Sequence, residues 1–236
     1  MPKNKKKTKN IKKILDKNLE KKYSLEESLP IIKDISFAKF DESVDISIRF
    51  NIKKQNHSIK GTVKLPHKTG KKNCFLALVT KEKEKISKEL GANYVGMSFV
   101  EKIKSGWWDN KINVVISMPS VINELNSIGK ILGTKGLMPN PKLETMSNNP
   151  EESIKEIQLG KIIFKLDKYG IVHSSIGRKS FSNKILYENI IFFIKKVTNN
   201  IPHYLKNIDY IKSIYLSTSM SPSILLDFQN IKNIIL

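Results

Sequence analysis

Two short segments carry the side chains best suited to hold a ligand. Ala38-Lys39-Phe40-Asp41-Glu42-Ser43 and Ser217-Thr218-Ser219-Met220-Ser221-Pro222 combine hydroxyls, a phenyl ring and a methionine with nearby basic residues. Hydroxyls and backbone amides bond ribose 2′-OH groups and phosphates, while Phe and Met pack on riboses or exposed base faces. Catalytic patterns are poor by contrast. His57, His67, His173 and His203 are dispersed, with no Cys or acidic cluster at metal-binding spacing. Neither a Gly-x-Ser-x-Gly elbow nor a complete phosphate-binding P-loop is present. The stretch from Gly129 through Gly133 to Gly136 resembles a phosphate-binding turn, but it follows a helical segment instead of preceding one. It reads as a tight loop whose glycines permit positive φ. Asp41 and Glu42 are adjacent, which is poor geometry for a paired acid and base and suits a cap or turn. Trp107 and Trp108 have the chemistry to stack on bases, yet read better as a loop packed on its own domain. The single cysteine, Cys74, lies in an apolar run and reads as a small buried hydrophobe. It allows no internal disulfide and fits a reducing compartment. No catalytic residue, metal or cofactor is expected.

The elements that must position these segments follow from periodicity. Ser24-Leu25-Glu26-Glu27 has the form of a capping box, and Leu25, Leu29, Ile32 and Ile35 recur at helical spacing. Pro30 interrupts that pattern, so the helix is expected to begin near Pro30. From Ser43 to Phe50, Val44, Ile46, Ile48 and Phe50 alternate with polar residues, and Ile59, Gly61, Val63 and Leu65 repeat the alternation. Period two implies strands with one buried face, here leaving a polar face with Arg49, Lys60 and Lys64. After His67 the style changes. Apolar runs at 73–80 and 112–117 read as strands covered on both faces, with a short strand at 93–95 and helices at 81–90, 99–104 and 120–132. That order implies a parallel sheet wrapped by helices. The first style then returns. Segments 161–167 and 171–175 flank Asp167-Lys168-Tyr169-Gly170 as a hairpin, Ser182 caps a helix, and strands follow at 211–217 and 224–228. A hairpin-rich start and end enclosing an α/β middle suggests an inserted domain, with chain crossings near His67 and Gly160 forming a hinge.

Charge narrows the partner. Of 236 residues, 42 are Lys or Arg and 22 are Asp or Glu, a formal charge of +20. Such a body attracts a polyanion. No apolar run is long enough to span a bilayer, and no basic amphipathic helix with a strong aromatic face stands out, so no membrane partner is expected. Nucleic acid is favoured. The start, MPKNKKKTKNIKKIL, reads as a basic arm leading into a helix and makes a poor transit peptide. Two rivals stay open on these grounds: a nucleotide-binding α/β enzyme, disfavoured by the missing phosphate loop, and a general nucleic-acid-binding architectural protein that compacts DNA, favoured by charge alone.

Several blocks resemble the family of the large-subunit ribosomal protein L-one. They are Phe40-Asp41-Glu42-Ser43, Gly61-Thr62-Val63 with Leu65-Pro66-His67, and Gly133 followed by Gly136-Leu137-Met138-Pro139-Asn140-Pro141-Lys142. Asp167-Lys168 with Gly170, the Gly177 to Ser180-Phe181 segment, and Ser217-Thr218-Ser219-Met220 with Pro222 complete the match, in the family's order and spacing over nearly the whole chain. The resemblance implies an α/β protein of two domains: a discontinuous α+β RNA-binding domain, 1–68 with 160–236, and an inserted Rossmann-like three-layer α/β domain, 69–159. It implies a structural constituent of the large ribosomal subunit that is not an enzyme. It further implies binding to the mobile rRNA stalk beside the exit site, assistance to release of deacylated tRNA, and repression of the protein's own mRNA. The protein is expected as a monomer within a cytoplasmic, bacterial-type ribosome.

Carried over residue by residue, Phe40 and Ser43 fall in the family's first RNA-contacting loop. Thr218, Ser219 and Met220 fall in the second, and Ser213 lies on the strand that feeds it. Lys39, Arg49 and Lys54 are expected phosphate contacts, and Lys168 and His173 belong to the hairpin of the same domain. The family usually has Thr where Ser43 and Ser219 stand, and both retain a hydroxyl. Ser221 departs further, because the family usually has Gly after Met. A Cβ there loosens RNA contact unless φ is negative. Leu143-Glu144-Thr145 departs from the family's Gly-Thr-Val form.

Overall fold

A computed structural model of the protein describes residues 21–51, 60–201 and 210–235, the last four as backbone only. The basic N-terminal arm, His57, His203 and Lys54 lie outside the described residues. The chain divides into two compact units. One takes the chain up to Gly70 and again from Ile163, and the other is Lys71–Ile162.

In the first unit, helix α1 (Leu25–Ile35) opens on a complete capping box: Ser24 Oγ accepts from the Glu27 amide at 3.3 Å, and the Glu27 carboxylate accepts from the Ser24 amide at 3.4 Å. The expected start at Pro30 is therefore corrected to Leu25. Pro30 sits inside the helix on its exposed side, where water can serve the Glu26 carbonyl that proline leaves without a donor. Strand β1 (Ser43–Phe50) buries Val44, Ile46, Ile48 and Phe50 and turns its other residues outward. Each of these apolar side chains contributes about 1.5–3 kcal/mol on burial.

Strand β2 (Lys60–Lys64) does not join β1. It pairs instead with β6 (Lys161–Lys165) in a separate two-stranded sheet, so Arg49 does not share a face with Lys60 and Lys64 as expected. The turn after β6 forms as foreseen. Asp167 Oδ1 accepts from the amides of Tyr169 (2.8 Å) and Ile171 (2.7 Å), and Gly170 takes φ +77. Beyond one bridge, Leu166 to Val172, however, its two arms part into different sheets.

Strand β7 (Ile171–Arg178) joins β1, and β8 (Ile211–Thr218) and β9 (Ile224–Leu226) complete an antiparallel sheet in the order β7-β1-β8-β9. Its inner face is covered by α1 and by α6 (Asn183–Asn199), which Ser182 Oγ caps by accepting from the Ile185 amide. Gly177 permits that packing: a Cβ there would stand 2.7 Å from Leu186 Cδ2 and 3.0 Å from Phe181 Cδ2. Phe228 opens a helix, α7 (Phe228–Ile235), and does not extend the last strand as the pattern suggests.

The second unit has β3 (Phe75–Leu78), α2 (Lys81–Glu89), β4 (Tyr94–Val95), α3 (Ser98–Lys104), β5 (Val114–Ser117), α4 (Ile122–Thr134) and α5 (Pro150–Gln158). The strands form a parallel sheet, β4-β3-β5, as the order of elements predicts. Leu76, Leu78 and Val115 pack on Ile103, Leu125 and Ile128 on one face, and Phe75, Ala77 and Ile116 pack on Ile154 and Ile157 on the other. Helix α5 escapes the sequence reading. Gly129 and Gly133 are helical residues of α4, so of the glycine-rich stretch only Gly136 (φ +70) uses left-handed freedom. Trp107 and Trp108 pack against this unit's core, Trp107 with its ring centroid 5.2 Å from that of Tyr94.

Candidate nucleic-acid interface

The two hydroxyl-rich loops meet at one end of the antiparallel sheet, and an acid that reads from sequence as a turn residue joins them. Glu42 is fully buried between the end of α1 and the start of β1. One carboxylate oxygen accepts from Ser36 Oγ (2.5 Å) and the Ala38 amide (3.0 Å). The other accepts from Thr218 Oγ1 (2.7 Å) and the Met220 amide (3.0 Å). Burial alone would raise the Glu42 pKa. The four hydrogen bonds outweigh it and pull the carboxyl down to about 2. A single anion thus clamps the 36–42 segment to the 218–220 turn.

Further bonds close the junction. The Ser43 amide donates to Ser219 Oγ (3.1 Å) and the Ser219 amide to the Ser43 carbonyl (3.2 Å). Arg178 at the end of β7 donates to Ser43 Oγ and to the Asp41 carbonyl, both at 3.2 Å. Ser180 gives its amide (3.0 Å) and hydroxyl (2.8 Å) to the Asp41 carboxylate, and Lys179 Nζ donates to the Ser36 carbonyl (3.2 Å). Three chain segments, 36–43, 178–180 and 217–221, are thereby locked into one surface. Phe40 and Met220 stand out from it, each 56% exposed, beside Phe37 at 45%. Ser43 and Ser219 use their oxygens as acceptors, which leaves each O–H to donate to a ligand.

The expected site residues fall into groups. Phe40, Ser43, Ser219 and Met220 come together at the loop end, with Lys39 exposed beside them. Thr218 is 3% exposed and its hydroxyl is given to Glu42, so its side chain holds the turn. Ser221 does not have the positive φ that the family's glycine permits. Its Oγ accepts from the Thr218 amide (3.1 Å) and lies 2.7 Å from Thr218 Oγ1, so the extra atoms close the turn from within. Arg49, Ser213 and His173 lie on the outward face of the sheet: Arg49 pairs with Ser213 across β1 and β8, and His173 pairs with Ser47 across β7 and β1. Ser47 Oγ is 2.9 Å from His173 Nδ1. Lys168 is exposed on the turn at the opposite end, since Ser43 and Arg49 are separated by six strand steps, about 20 Å. Lys54 lies outside the described residues.

Comparison with known proteins bears on what this surface is for. The profile of the Ribosomal protein L1p/L10e family matches residues 32–222, which include both loops and the whole second unit. The chain belongs to that family. Among its relatives, Large ribosomal subunit protein uL1 of Phocaeicola vulgatus is 46% identical over 210 residues, 88% of this chain and 89% of that protein. The protein of the same name from Flavobacterium psychrophilum is 46% identical, covering 90% of this chain and 92% of its own length. That of Azobacteroides pseudotrichonymphae is 44% identical over 228 residues, 95% and 97% respectively. These ribosomal proteins are structural and not enzymatic. The α/β folds of the two units agree with the expectation drawn from the motifs, and no helix among the described residues is long and apolar enough to cross a membrane.

Sequence reasoning misses Glu42, Arg178, Ser180 and Phe37. Glu42 sits inside the Phe40-Asp41-Glu42-Ser43 block, and its signal is an acid among hydroxyls in a basic chain. Arg178 and Ser180 reach the site only through strand pairing, which no local pattern shows.

Proposed function

We propose that the protein is a constituent of the large ribosomal subunit, on cytoplasmic ribosomes, and that its first unit grips the rRNA stalk. What supports this most is one arrangement: Phe40 and Met220 stand exposed beside the Ser43 and Ser219 hydroxyls, on loops tied to a buried carboxylate. A surface ordered before binding loses little conformational freedom when RNA docks. Its donors match 2′-OH and phosphate, and its apolar groups pack on riboses or bases. The excess of Lys and Arg adds salt-dependent attraction that does not read sequence. The rRNA stalk is the partner that the family resemblance implies. The same resemblance supports two finer roles for that grip, assisting departure of deacylated tRNA from the exit site and repressing the protein's own mRNA through an rRNA-like element.

The test is competition at moderate salt between a stalk rRNA fragment and duplex DNA of equal length, together with sedimentation of native lysate. Preference for the rRNA and migration with large subunits is the expected result. Equal affinity for both nucleic acids would leave only a general architectural binder.

A further inference from the structure

A second feature lies on the same sheet, away from the two loops. A cleft of about 600 Å³ opens on the outward face across β1, β8 and β9. Among the described residues its charged lining is Lys22, Arg49 and Lys212 against one acid, Asp227. That acid is already engaged, because Asp227 Oδ1 accepts from the Gln229 amide at 3.0 Å where α7 begins. The apolar part of the lining includes Tyr215 and Phe228. Tyr215 is 38% exposed on the outward face, with Ser47 and Leu225 opposite it on the two neighbouring strands.

The register explains why these groups converge. Arg49 sits opposite Ser213, and the pairing then slips so that Phe50 faces Ile211. Lys212 is the extra residue at that irregularity, exposed beside Arg49. On the far side, Tyr23 bridges Leu226 in parallel, which carries Lys22 alongside β9. Lys22, Arg49 and Lys212 therefore line one cleft together with the Tyr215 ring.

We propose that this cleft receives one unpaired nucleotide of single-stranded RNA, its base stacked on Tyr215 and its phosphate held by Arg49 with Lys212 and Lys22. The volume suits a small ligand of that size. A ring flanked by cations matches the two parts of a nucleotide, an aromatic face and an anion. Duplex RNA does not fit this geometry, because its bases are already stacked on one another and offer no free face. The inference deepens the reading that the first unit binds rRNA, and it assigns Tyr215 and Lys212 roles that the loop site does not require.

The experiment uses the full chain and a short oligouridylate with one central 5-iodouridine. Affinity is read by fluorescence anisotropy, and near-ultraviolet crosslinks are mapped by mass spectrometry. Expected are a crosslink at Tyr215, a loss of affinity of roughly 5- to 150-fold in Tyr215→Leu, and recovery in Tyr215→Trp. Thermal melts matching the wild type establish that Tyr215→Leu is folded. The inference is overturned if the wild type does not bind the oligonucleotide, if Tyr215→Leu binds as well as wild type, or if crosslinks fall elsewhere. A stalk rRNA fragment titrated against Met220→Ala reports separately on the loop site. Loss there with indifference to Tyr215→Leu removes only the cleft. A Tyr215-dependent oligonucleotide with no stalk binding by the wild type removes only the proposed function.

Discussion

Replacing Glu42 by Gln tests whether one buried anion holds the loops together. The two side chains have nearly the same shape, so packing is preserved and only charge and hydrogen-bond polarity change. Each carboxylate oxygen of Glu42 accepts from one hydroxyl and one backbone amide. A hydroxyl can rotate to accept from the new NH2 group, but a backbone N–H cannot. In either orientation of the substituted carboxamide, therefore, the Ala38 or the Met220 N–H faces another donor. A buried donor left without a partner costs about 1–3 kcal/mol.

The pKa leads to a similar figure. Moving the carboxyl from 4.5 to about 2 on folding corresponds to about 3 kcal/mol of stability at neutral pH. Because the folded pKa is depressed, this stability is present above the unfolded pKa and is lost as pH falls through the folded one. Linkage then predicts that about 2 kcal/mol has gone by pH 3. Urea unfolding of wild type and Glu42→Gln across that range measures the gap directly, with other titrating groups common to both proteins. A gap of about 3 kcal/mol at pH 7 that shrinks by most of its size at pH 3 is expected. A gap below about 0.5 kcal/mol, within the range of an ordinary surface change, or one that does not vary with pH, refutes the clamp.

Other substitutions probe the remaining parts. Gly177→Ala forces a methyl against Leu186 and Phe181 and is expected to destabilise by about 1–3 kcal/mol in urea unfolding; an unchanged midpoint would show that α6 has room to shift. Ser219→Val removes the acceptor for the Ser43 amide and the outward hydroxyl, and is expected to weaken stalk RNA binding by about 1–3 kcal/mol; an unchanged dissociation constant counts against the site. Ser221→Gly is expected to destabilise by about 0.5–1.5 kcal/mol, because the turn loses the hydroxyl that takes the Thr218 amide; a gain in stability would show that the serine is strained there.

Much of the fold is legible locally. The alternation from Val44 to Phe50 gives β1 and its buried face, the Ser24 box gives the start of α1 once Pro30 is placed on the exposed side, and the apolar runs at 75–78 and 114–117 give strands covered on both faces. What escapes is non-local. The period of β2 matches that of β1, but nothing in it says that the strand belongs with β6. Glu42 reads as a cap or turn residue until tertiary structure supplies its four donors. Ser221 shows the reverse case, where the departure noted from the family pattern has a negative φ and a hydrogen bond to use. Thr218 reads as a contact by its type, yet strand alternation puts it with the buried residues of β8.

The central claim is that the exposed loop end is the part that recognises RNA, and the double variant Phe40→Ala, Met220→Ala addresses it most directly. Both side chains are exposed, so the folded protein should survive their loss. Binding of a stalk rRNA fragment and of duplex DNA is measured side by side at fixed salt. A fall of roughly 100-fold is predicted for the rRNA, from two lost stacking or packing contacts, with duplex DNA affinity and unfolding free energy unchanged. An rRNA affinity equal to wild type, or an equal loss for both nucleic acids, would contradict it.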